Sequence, residues 1–361
     1  MHKGKILVVG AGIAGLSTAW GLVRRGFAVE VFDQGPIPNP KATSHDEHRI
    51  TRHAYGEMHR YARLMPDCFR LYERLWADIG ACHLTPLPSI VLEREPTPWI
   101  GASIVDLEAM GIPWREVPVG EIAARYPMIN TGGLTRAVEF GGAGVLFPIR
   151  ILTDLVVHLA GQGVVFHALT KVEAVDPEAG TVTVAGGKVF TGDQIVVAAG
   201  AWADRLVPEI RGRAVPSRQA VLFLAPPTDL AAAWAAAPIF LDLGLESGTY
   251  TLPPRPGTRL KVGDHTFTRS GDADGDRAAT DADVARLMSA ADLAFTGFDR
   301  YTILERKACF YTVTEDESFV VGPIGAKASV ISACSGHGFK LAPLIGDLVA
   351  EGIATGVAYR H

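Results

Sequence analysis

Three glycines near the amino terminus have the spacing of a phosphate-binding turn. Gly10, Gly12 and Gly15 follow the apolar run Lys5–Val9 and precede a helical stretch that ends near Arg25. In a GxGxxG turn the first glycine permits a tight turn, the second lets the backbone approach a pyrophosphate, and the third lets helix and strand pack closely. The free N–H groups of the helix N-terminus would then face the phosphates. A glycine-rich turn without a ligand is the alternative.

An acidic residue after the second predicted strand favours an adenine dinucleotide as the ligand of this turn. Asp33 follows the run Ala28–Phe32, which predicts a strand. A carboxylate at this position accepts hydrogen bonds from ribose hydroxyls and disfavours a 2′-phosphate, so we do not expect NADP. The chain later returns with QIVVAAGAW, which contains Gly200 and Trp202 and resembles the second nucleotide-contact motif of the glutathione-reductase-like FAD enzymes. A simple dehydrogenase would continue directly into more βαβ repeats, so FAD is favoured over NAD.

A segment rich in histidine and arginine follows this unit. Its basic side chains are His45, His48, Arg49, Arg52, His53, His59, Arg60 and Arg63. The segment could be a solvated helix face, a metal site through His45 and His48, or a nucleic-acid patch that includes Tyr55 and Tyr61. Interleaved acidic residues weaken the nucleic-acid interpretation, and the histidine spacing matches no recognised ligand set. We therefore expect neither a metal nor a nucleic acid here.

Four motifs resemble those of one family when they are taken together. They are TSHDEHRITRHAYGE at 43–57, KVGDHT at 261–266, KACFYT at 307–312 and SGHGFK at 335–340. In their order and spacing they resemble monomeric sarcosine oxidase and its N-methyltryptophan oxidase and pipecolate oxidase relatives, which are FAD-dependent amine oxidases. The resemblance covers most of the chain, and each motif alone would be weak evidence.

The resemblance implies a covalent cofactor. The thiol of Cys309 would form a thioether to the flavin 8-methyl group, which requires a thiolate that the nearby Arg306 and Lys307 could favour. Cysteine is also among the most buried residue types, so an inert core cysteine is the alternative when the residue is considered by itself.

The resemblance also implies roles for residues that act on O2 and on the substrate. Lys261 would activate O2 by stabilising the negative charge that O2 acquires, while Arg49 and His45 would lie beside the flavin. Arg52 would bind the substrate carboxylate through its planar guanidinium, with Lys340 as a second cation. The other residues implied to line the pocket, each of which could instead be core packing, are His265, Tyr250 and Tyr311.

The turn Ser335–Gly338 opens the last predicted helix, and its N–H groups could stabilise negative charge on the reduced flavin. The residues that we expect to bind the cofactor are Gly10, Gly12, Gly15, Asp33, Val172, Gly200, Trp202, Cys309, Gly336 and Gly338.

The order of the predicted elements indicates an α/β fold. After the βαβ beginning come a proline-rich region of mixed strands, a helix near residues 150–160, and further strands that end before Gly200. We predict a glutathione-reductase-like FAD-binding domain with an inserted, mostly antiparallel α+β substrate domain. The FAD-binding domain would comprise 1–84, 146–214 and 312–361, and the substrate domain 85–145 and 215–311.

Composition limits the class of protein. Hydrophobic residues make up 48% and charged residues 20% of the 361 residues, and the net charge is −5, so no overall field attracts nucleic acid or anionic lipid. The cysteines are too few for a disulfide framework and form no CxxC zinc pair: Cys68, Cys82, Cys309 and Cys334. The uncharged run from Ile6 to Val23 is interrupted by glycines, which favours a strand, turn and helix over a membrane span. A cytoplasmic monomer is expected.

These features predict an oxidase of a small secondary-amine amino acid, such as sarcosine, another N-methyl amino acid or a cyclic acid. The products would be an imine and H2O2, and the partners an amino-acid substrate and O2. Two alternatives remain: a related dehydrogenase that passes electrons to another carrier, and a non-catalytic flavin-binding or RNA-modifying protein with the same nucleotide fold.

Overall fold

The computed structural model describes residues 3–332 and 335–359. Its helices are α1 (Ile13–Val23), α2 (His59–Ile79), α3 (Pro98–Ala109), α4 (Val119–Arg125), α5 (Pro148–Gly161), α6 (Ala203–Leu206), α7 (Thr228–Ala236), α8 (Asp281–Ala294) and α9 (Gly338–Thr355). Its first ten strands are β1 (Lys5–Val9), β2 (Ala28–Phe32), β3 (Arg49–Arg52), β4 (Leu84–Pro86), β5 (Ser89–Glu93), β6 (Trp114–Glu116), β7 (Arg136–Phe140), β8 (Ala143–Leu146), β9 (Val165–His167) and β10 (Val172–Asp176). The other strands are β11 (Thr181–Val184), β12 (Val189–Thr191), β13 (Gln194–Val197), β14 (Val215–Ala225), β15 (Ile239–Asp242), β16 (Thr249–Leu252), β17 (Leu260–Asp264), β18 (Thr302–Val313), β19 (Val320–Pro323) and β20 (Ala328–Ser332).

The first large sheet is mostly parallel and carries the glycine turn. Within the described ranges its strand order is β19-β20-β13-β1-β2-β9, and only β19 runs antiparallel to its neighbour. Both faces are covered, which explains the continuous apolar run of β1. Ile6 and Val8 pack against α1 and α9, while Leu7 and Val9 pack towards the small sheet β10-β11-β12.

The second large sheet is mostly antiparallel. Its order in the described part of the chain is β18-β14-β17-β16-β15-β5-β7-β6, and β15 and β5 form its parallel pair. One face packs on a core that contains Trp234 and Phe295, where the Trp234 Nε1 donates a hydrogen bond to the Tyr301 hydroxyl at 2.8 Å. Helix α8 lies on this core and begins with a capping box between Thr280 and Asp283.

A small sheet, β3-β8-β4, connects the regions around the two large sheets. Strand β3 carries Arg49 and Arg52 and pairs antiparallel with β8. Helix α2 follows shortly after and buries Tyr61, Met65 and Tyr72 in the same core as α1 and α9. The basic side chains from His45 to His53 are therefore buried or half-buried in the folded interior, whereas Arg60 and Arg63 are exposed on α2.

The predicted α/β class is confirmed, since helices cover a mostly parallel sheet to which a mostly antiparallel sheet is added. We propose that the two large sheets are the centres of two domains with the segments given above. The strands of the first sheet all lie within 1–84, 146–214 and 312–361. Strand β18 runs across the expected boundary after residue 311, and β8 across that after residue 145.

None of the described helices is both long enough and apolar enough to cross a membrane. Cys68, Cys82 and Cys309 are free, and Cys334 lies outside the described residues.

Candidate active site

A cavity of about 820 Å³ is lined by residues of both large sheets and of the small sheet that contains β3. The predicted site residues that line it are Gly10, Gly12, Asp33, Arg49, Arg52, Val172, Gly200, Trp202, Tyr250, Lys261, His265, Tyr311, Gly336, Gly338 and Lys340. The structure therefore brings together residues from all four sequence motifs with the glycine turn. Among the predicted residues, Gly15, His45 and Cys309 do not line this cavity.

The glycine turn has the close approaches that its spacing predicts. Gly10 has a φ of 107°, and a Cβ there would lie 2.3 Å from the Ala198 carbonyl oxygen. A Cβ on Gly15 would lie 1.9 Å from the Gly10 carbonyl oxygen, so Gly15 serves helix packing below the cavity. Helix α1 begins after Gly12 with no acidic residue in its first turn, and the Ile13 N–H donates a hydrogen bond to the Ser44 hydroxyl oxygen at 3.0 Å. This helix N-terminus can hold a phosphate group.

The Asp33 side chain is fixed beside this turn. Its carboxylate accepts hydrogen bonds from the Ala11 N–H at 3.0 Å, the Gly35 N–H at 2.9 Å and the Asn39 Nδ2 at 2.8 Å. A carboxylate has about four acceptor positions, so one remains for a ligand hydroxyl. The side chain lines the cavity, as a ribose contact would require.

Lys261 is a fully buried cation at the edge of the cavity. Its Nζ donates to the Asp46 Oδ2 at 2.5 Å and to the His48 carbonyl at 3.3 Å, and Asp46 also contacts the Arg49 Nη1 at 3.1 Å. Its exposed fraction is 0%, and its neighbours on β17, Leu260 and Val262, face the core on the opposite side of the strand. Burial lowers the pKa of Lys261 to about 8, although Asp46 acts in the opposite direction.

Arg52 and Lys340 approach the same aromatic ring from β3 and from the first turn of α9. The Arg52 Cζ lies 5.4 Å from the centre of the Tyr55 ring, and the Lys340 Nζ lies 5.2 Å from it. The Arg52 Nε donates to the Ala54 carbonyl at 2.7 Å, and burial lowers the pKa of the guanidinium. Two cations beside the same aromatic ring can bind one carboxylate together.

The polar rings that line this region are held in uncharged forms. The pKa of His265 is lowered to about 4, first by desolvation and then by the positive charges of Arg52 and Lys340, so the imidazole is neutral at neutral pH. Burial also raises the pKa of the Tyr250 hydroxyl. The ring centroids of Tyr250 and His265 lie 6.2 Å apart.

Cys309 is half-buried in β18, next to the cavity-lining residues Phe310 and Tyr311. Burial raises the pKa of its thiol, while Arg49, Lys261 and Lys307 act to lower it. The expectation that Arg306 lies near this thiol is wrong. Arg306 and Cys309 are three positions apart on β18, so their side chains face opposite sides of the strand. The Arg306 guanidinium instead contacts the Asp281 carboxylate at 3.2 Å on the other side of β18.

His45 is also displaced from the cavity. Its imidazole is half-buried, and its carbonyl accepts a hydrogen bond from the Lys307 Nζ at 3.0 Å. The contact made by His45 thus joins the loop before β3 to the Lys307 side chain of β18.

Sequence reasoning missed three residues at this site. Asp46 binds Lys261, the Tyr55 ring lies beside both Arg52 and Lys340, and His337 lines the cavity with its ring centroid 4.4 Å from that of Tyr61. A carboxylate enclosed by His45 and Arg49 in a strongly basic segment was the available signal for Asp46. The described residues contain no group of three or more His, Cys, Asp or Glu arranged to hold a metal ion.

Comparison with known proteins gives consistent results over nearly the whole chain. The family described as DAO, FAD dependent oxidoreductase, matches residues 5–352. A monomeric sarcosine oxidase of Streptomyces avermitilis is 27% identical over 97% of this chain and 94% of its own length. An N-methyl-L-tryptophan oxidase of Yersinia pestis is 24% identical over 96% of this chain and 93% of its own length. The solved structure of NikD, an unusual amino acid oxidase essential for nikkomycin biosynthesis, has a TM-score of 0.81 at 19% identity, covering 98% of this chain and 94% of that one.

Proposed function

The chain belongs to the DAO family of FAD-dependent oxidoreductases, and we propose that it oxidises a small secondary-amine amino acid with O2, giving an imine and H2O2. The observation that carries this proposal is the placement of Arg52 and Lys340 around one aromatic ring in the cavity that Lys261 also lines. Names of similar proteins, which include a sarcosine oxidase and an N-methyl-L-tryptophan oxidase, support a secondary amine.

The residues of the glycine turn fit FAD. Gly10, Gly12 and the N-terminus of α1 would hold its pyrophosphate, and Asp33 would accept from a ribose hydroxyl. Val172, Gly200 and Trp202 line the same cavity and would complete the nucleotide site. When bound, FAD supplies the redox chemistry by accepting a hydride equivalent from the carbon next to the amine.

The protein residues would orient the substrate and set its charge. Arg52 and Lys340 would bind the carboxylate, which directs the adjacent amine-bearing carbon to a fixed position. Their positive charge, together with burial, would lower the pKa of the substrate amine and favour its neutral form. A neutral His265 adds no charge to this region at neutral pH. Lys261 would stabilise the negative charge that develops on O2 when O2 accepts an electron.

A peroxide-coupled screen tests this function. The purified enzyme would be offered sarcosine, N-methyl amino acids, L-proline, pipecolate, primary D-amino acids and amines that lack a carboxylate. We expect catalase-sensitive H2O2 with a secondary amino acid as the best substrate. Turnover only with an artificial electron acceptor would mean that the protein is a dehydrogenase and not an oxidase. Preference for amines without a carboxylate would contradict the roles of Arg52 and Lys340, and preference for primary D-amino acids would contradict the secondary amine.

We also propose that the flavin is attached covalently to Cys309. Acid precipitation of the parent protein should leave the flavin absorbance with the protein, and its intact mass should exceed that of the chain by one flavin. The Cys309→Ala variant should release its flavin or lack it, because no thiolate is available for the thioether. Cys82→Ala, which removes an exposed cysteine, is the matched control. Flavin that separates from the parent protein in acid would contradict the attachment.

The enzyme is further proposed to act as a cytoplasmic monomer. The small number of cysteines supports the reducing compartment. Size-exclusion chromatography with light scattering would measure the mass of the protein in solution, and we expect the mass of one chain.

A further inference from the structure

We infer that Asp46 is a positioning residue for the reaction with O2, because its carboxylate fixes the Lys261 ammonium beside the cavity and keeps it charged. The inference rests on the proposed oxidase function. It adds a residue that lies outside the cavity lining and acts through Lys261.

The geometry of the buried pair supports a positioning role for Asp46. Lys261 and Asp46 come from distant parts of the chain and are almost fully enclosed, with side-chain exposures of 0% and 4%. The ammonium makes a charged hydrogen bond of 2.5 Å to Asp46 and a longer one of 3.3 Å to the His48 carbonyl. A lysine side chain has a flexible four-carbon stem, so the short bond to Asp46 is the contact that selects one position for its charge.

Asp46 also favours the charged form of the Lys261 amine. A buried amine loses its proton unless an opposite charge compensates the loss of water. Burial lowers the pKa of Lys261 to about 8, Asp46 raises it, and Arg49 lowers it. Removal of the carboxylate would take away the largest contribution that opposes burial and the repulsion from Arg49, with Cys309 as a smaller one. The amine would then be neutral at the pH at which the parent enzyme still carries a charge.

Other titratable groups around Lys261 do not replace Asp46. Asp46 is the carboxylate that acts most strongly on it among the described residues, and burial keeps the pKa of the His48 imidazole near 3, so that ring is uncharged. The ionisable side chains that face Lys261 and Asp46 from the neighbouring segments are His45, His48, Arg49, Tyr250, Lys307 and Cys309.

The adjacent carboxylate provides a matched control. Glu47 accepts from the Arg259 Nε at 2.7 Å and from the Arg259 N–H at 2.8 Å, and it makes no contact with Lys261. Glu47→Gln and Asp46→Asn therefore each remove one negative charge from adjacent positions, but only Asp46→Asn removes the partner of the lysine.

The first test is the pH dependence of reoxidation. Stopped-flow absorbance would follow the reaction of the reduced enzyme with O2 between pH 5.5 and 10 in the parent, Asp46→Asn and Glu47→Gln. The parent rate should fall as the pH rises through about 8, where Lys261 loses its proton. Because an opposite charge at this distance shifts a pKa by ~1–3 units, Asp46→Asn should move the midpoint down by that amount and slow the reaction about fivefold or more at pH 8.

Four comparisons decide the outcome of that test. The difference in reoxidation rate between Asp46→Asn and the parent should narrow at low pH. The rate of anaerobic reduction by substrate should change little in Asp46→Asn. Glu47→Gln should keep the pH midpoint of the parent. In a Lys261→Met background, Asp46→Asn should have no further effect on reoxidation. Faster reoxidation in Asp46→Asn would overturn the inference, since the carboxylate would then be quenching the charge of Lys261.

The second test uses thermal unfolding of the purified protein and needs no activity. Breaking a buried ion pair by removing one partner strongly destabilises a protein, so Asp46→Asn should lower Tm by roughly 5–10 °C. The double variant Asp46→Asn/Lys261→Met should recover much of this loss, because the unpaired ammonium is gone. Additive losses in the double variant would show that the two side chains are not coupled and would refute the inference.

The two failures can be told apart. If the parent enzyme does not react with O2, the proposed oxidase function is wrong, while the Tm comparison still tests the pairing. If the parent reacts with O2 and Lys261→Met is reoxidised slowly, but Asp46→Asn keeps the pH midpoint and the Tm of the parent, only the role of Asp46 is wrong.

Discussion

Replacement of Lys261 by methionine should slow reoxidation of the reduced enzyme by O2 by ~10²–10³-fold and change anaerobic reduction by substrate far less. The reason is that Lys261 places a fully buried ammonium beside the cavity, where it can stabilise the negative charge that develops on O2. Methionine has a similar length without the charge, so packing is largely retained. Stopped-flow absorbance measures the two half-reactions separately.

Lys188→Met is the matched control for this substitution. Lys188 is exposed, and its Nζ lies 4.5 Å from the centre of the Phe190 ring, away from the cavity lining. Both half-reactions should keep the parent rates in this variant. Equal slowing of reduction and reoxidation in Lys261→Met would remove Lys261 from the reaction with O2 and point to a general distortion of the cavity.

Replacement of Arg52 by alanine should raise the KM of a secondary-amine amino acid by roughly 10–100-fold, because a charge-assisted contact to the carboxylate is lost. Arg52 lies at the cavity with its guanidinium over Tyr55 and 5.6 Å from the centre of the Trp99 ring, and no carboxylate of the described chain contacts it. Since this contact binds the ground state and the transition state alike, kcat should fall less than KM rises. Steady-state peroxide formation would measure both constants.

The nature of the loss can be checked in two ways. Arg52→Lys keeps the charge without the planar fork and should give an intermediate KM. Arg63→Ala removes an exposed arginine from the first turns of α2 and should leave KM unchanged. An unchanged KM in Arg52→Ala would mean that the carboxylate is bound elsewhere, with Lys340 as the first residue to test.

Much of the nucleotide-binding half could be predicted because its signals are local. The turn at Gly10–Gly15, the strands beside it and Asp33 lie within one βαβ unit, where spacing alone determines which groups meet. The helix predicted near residues 150–160 was likewise found as α5, since apolar periodicity over many residues reflects one buried face. The order of the pieces along the chain indicated the α/β class.

The substrate end was harder to predict because its contacts are long-range. Asp46 appeared in the sequence only as an acidic residue that argued against nucleic acid, whereas in the fold it neutralises part of a buried cationic cluster. The assignment of Arg306 failed for a related reason. Closeness in sequence to Cys309 does not determine which face of β18 a side chain takes, and that depends on the register with β14.

The sequence by itself determined the glycine turn, the strand-helix-strand unit around it and the resemblance in four motifs, because each depends on residue types at fixed short spacings. Only the tertiary structure decided which charges meet. Lys261 and Asp46 are 215 positions apart, and they come into contact because β17 of the antiparallel sheet lies against the segment before β3. Arg52 and Lys340 come together beside Tyr55 in the same way, since α9, near the end of the chain, packs back against β3. The free energy of such buried charges depends on the partners and the water that the packing leaves, which no local pattern specifies.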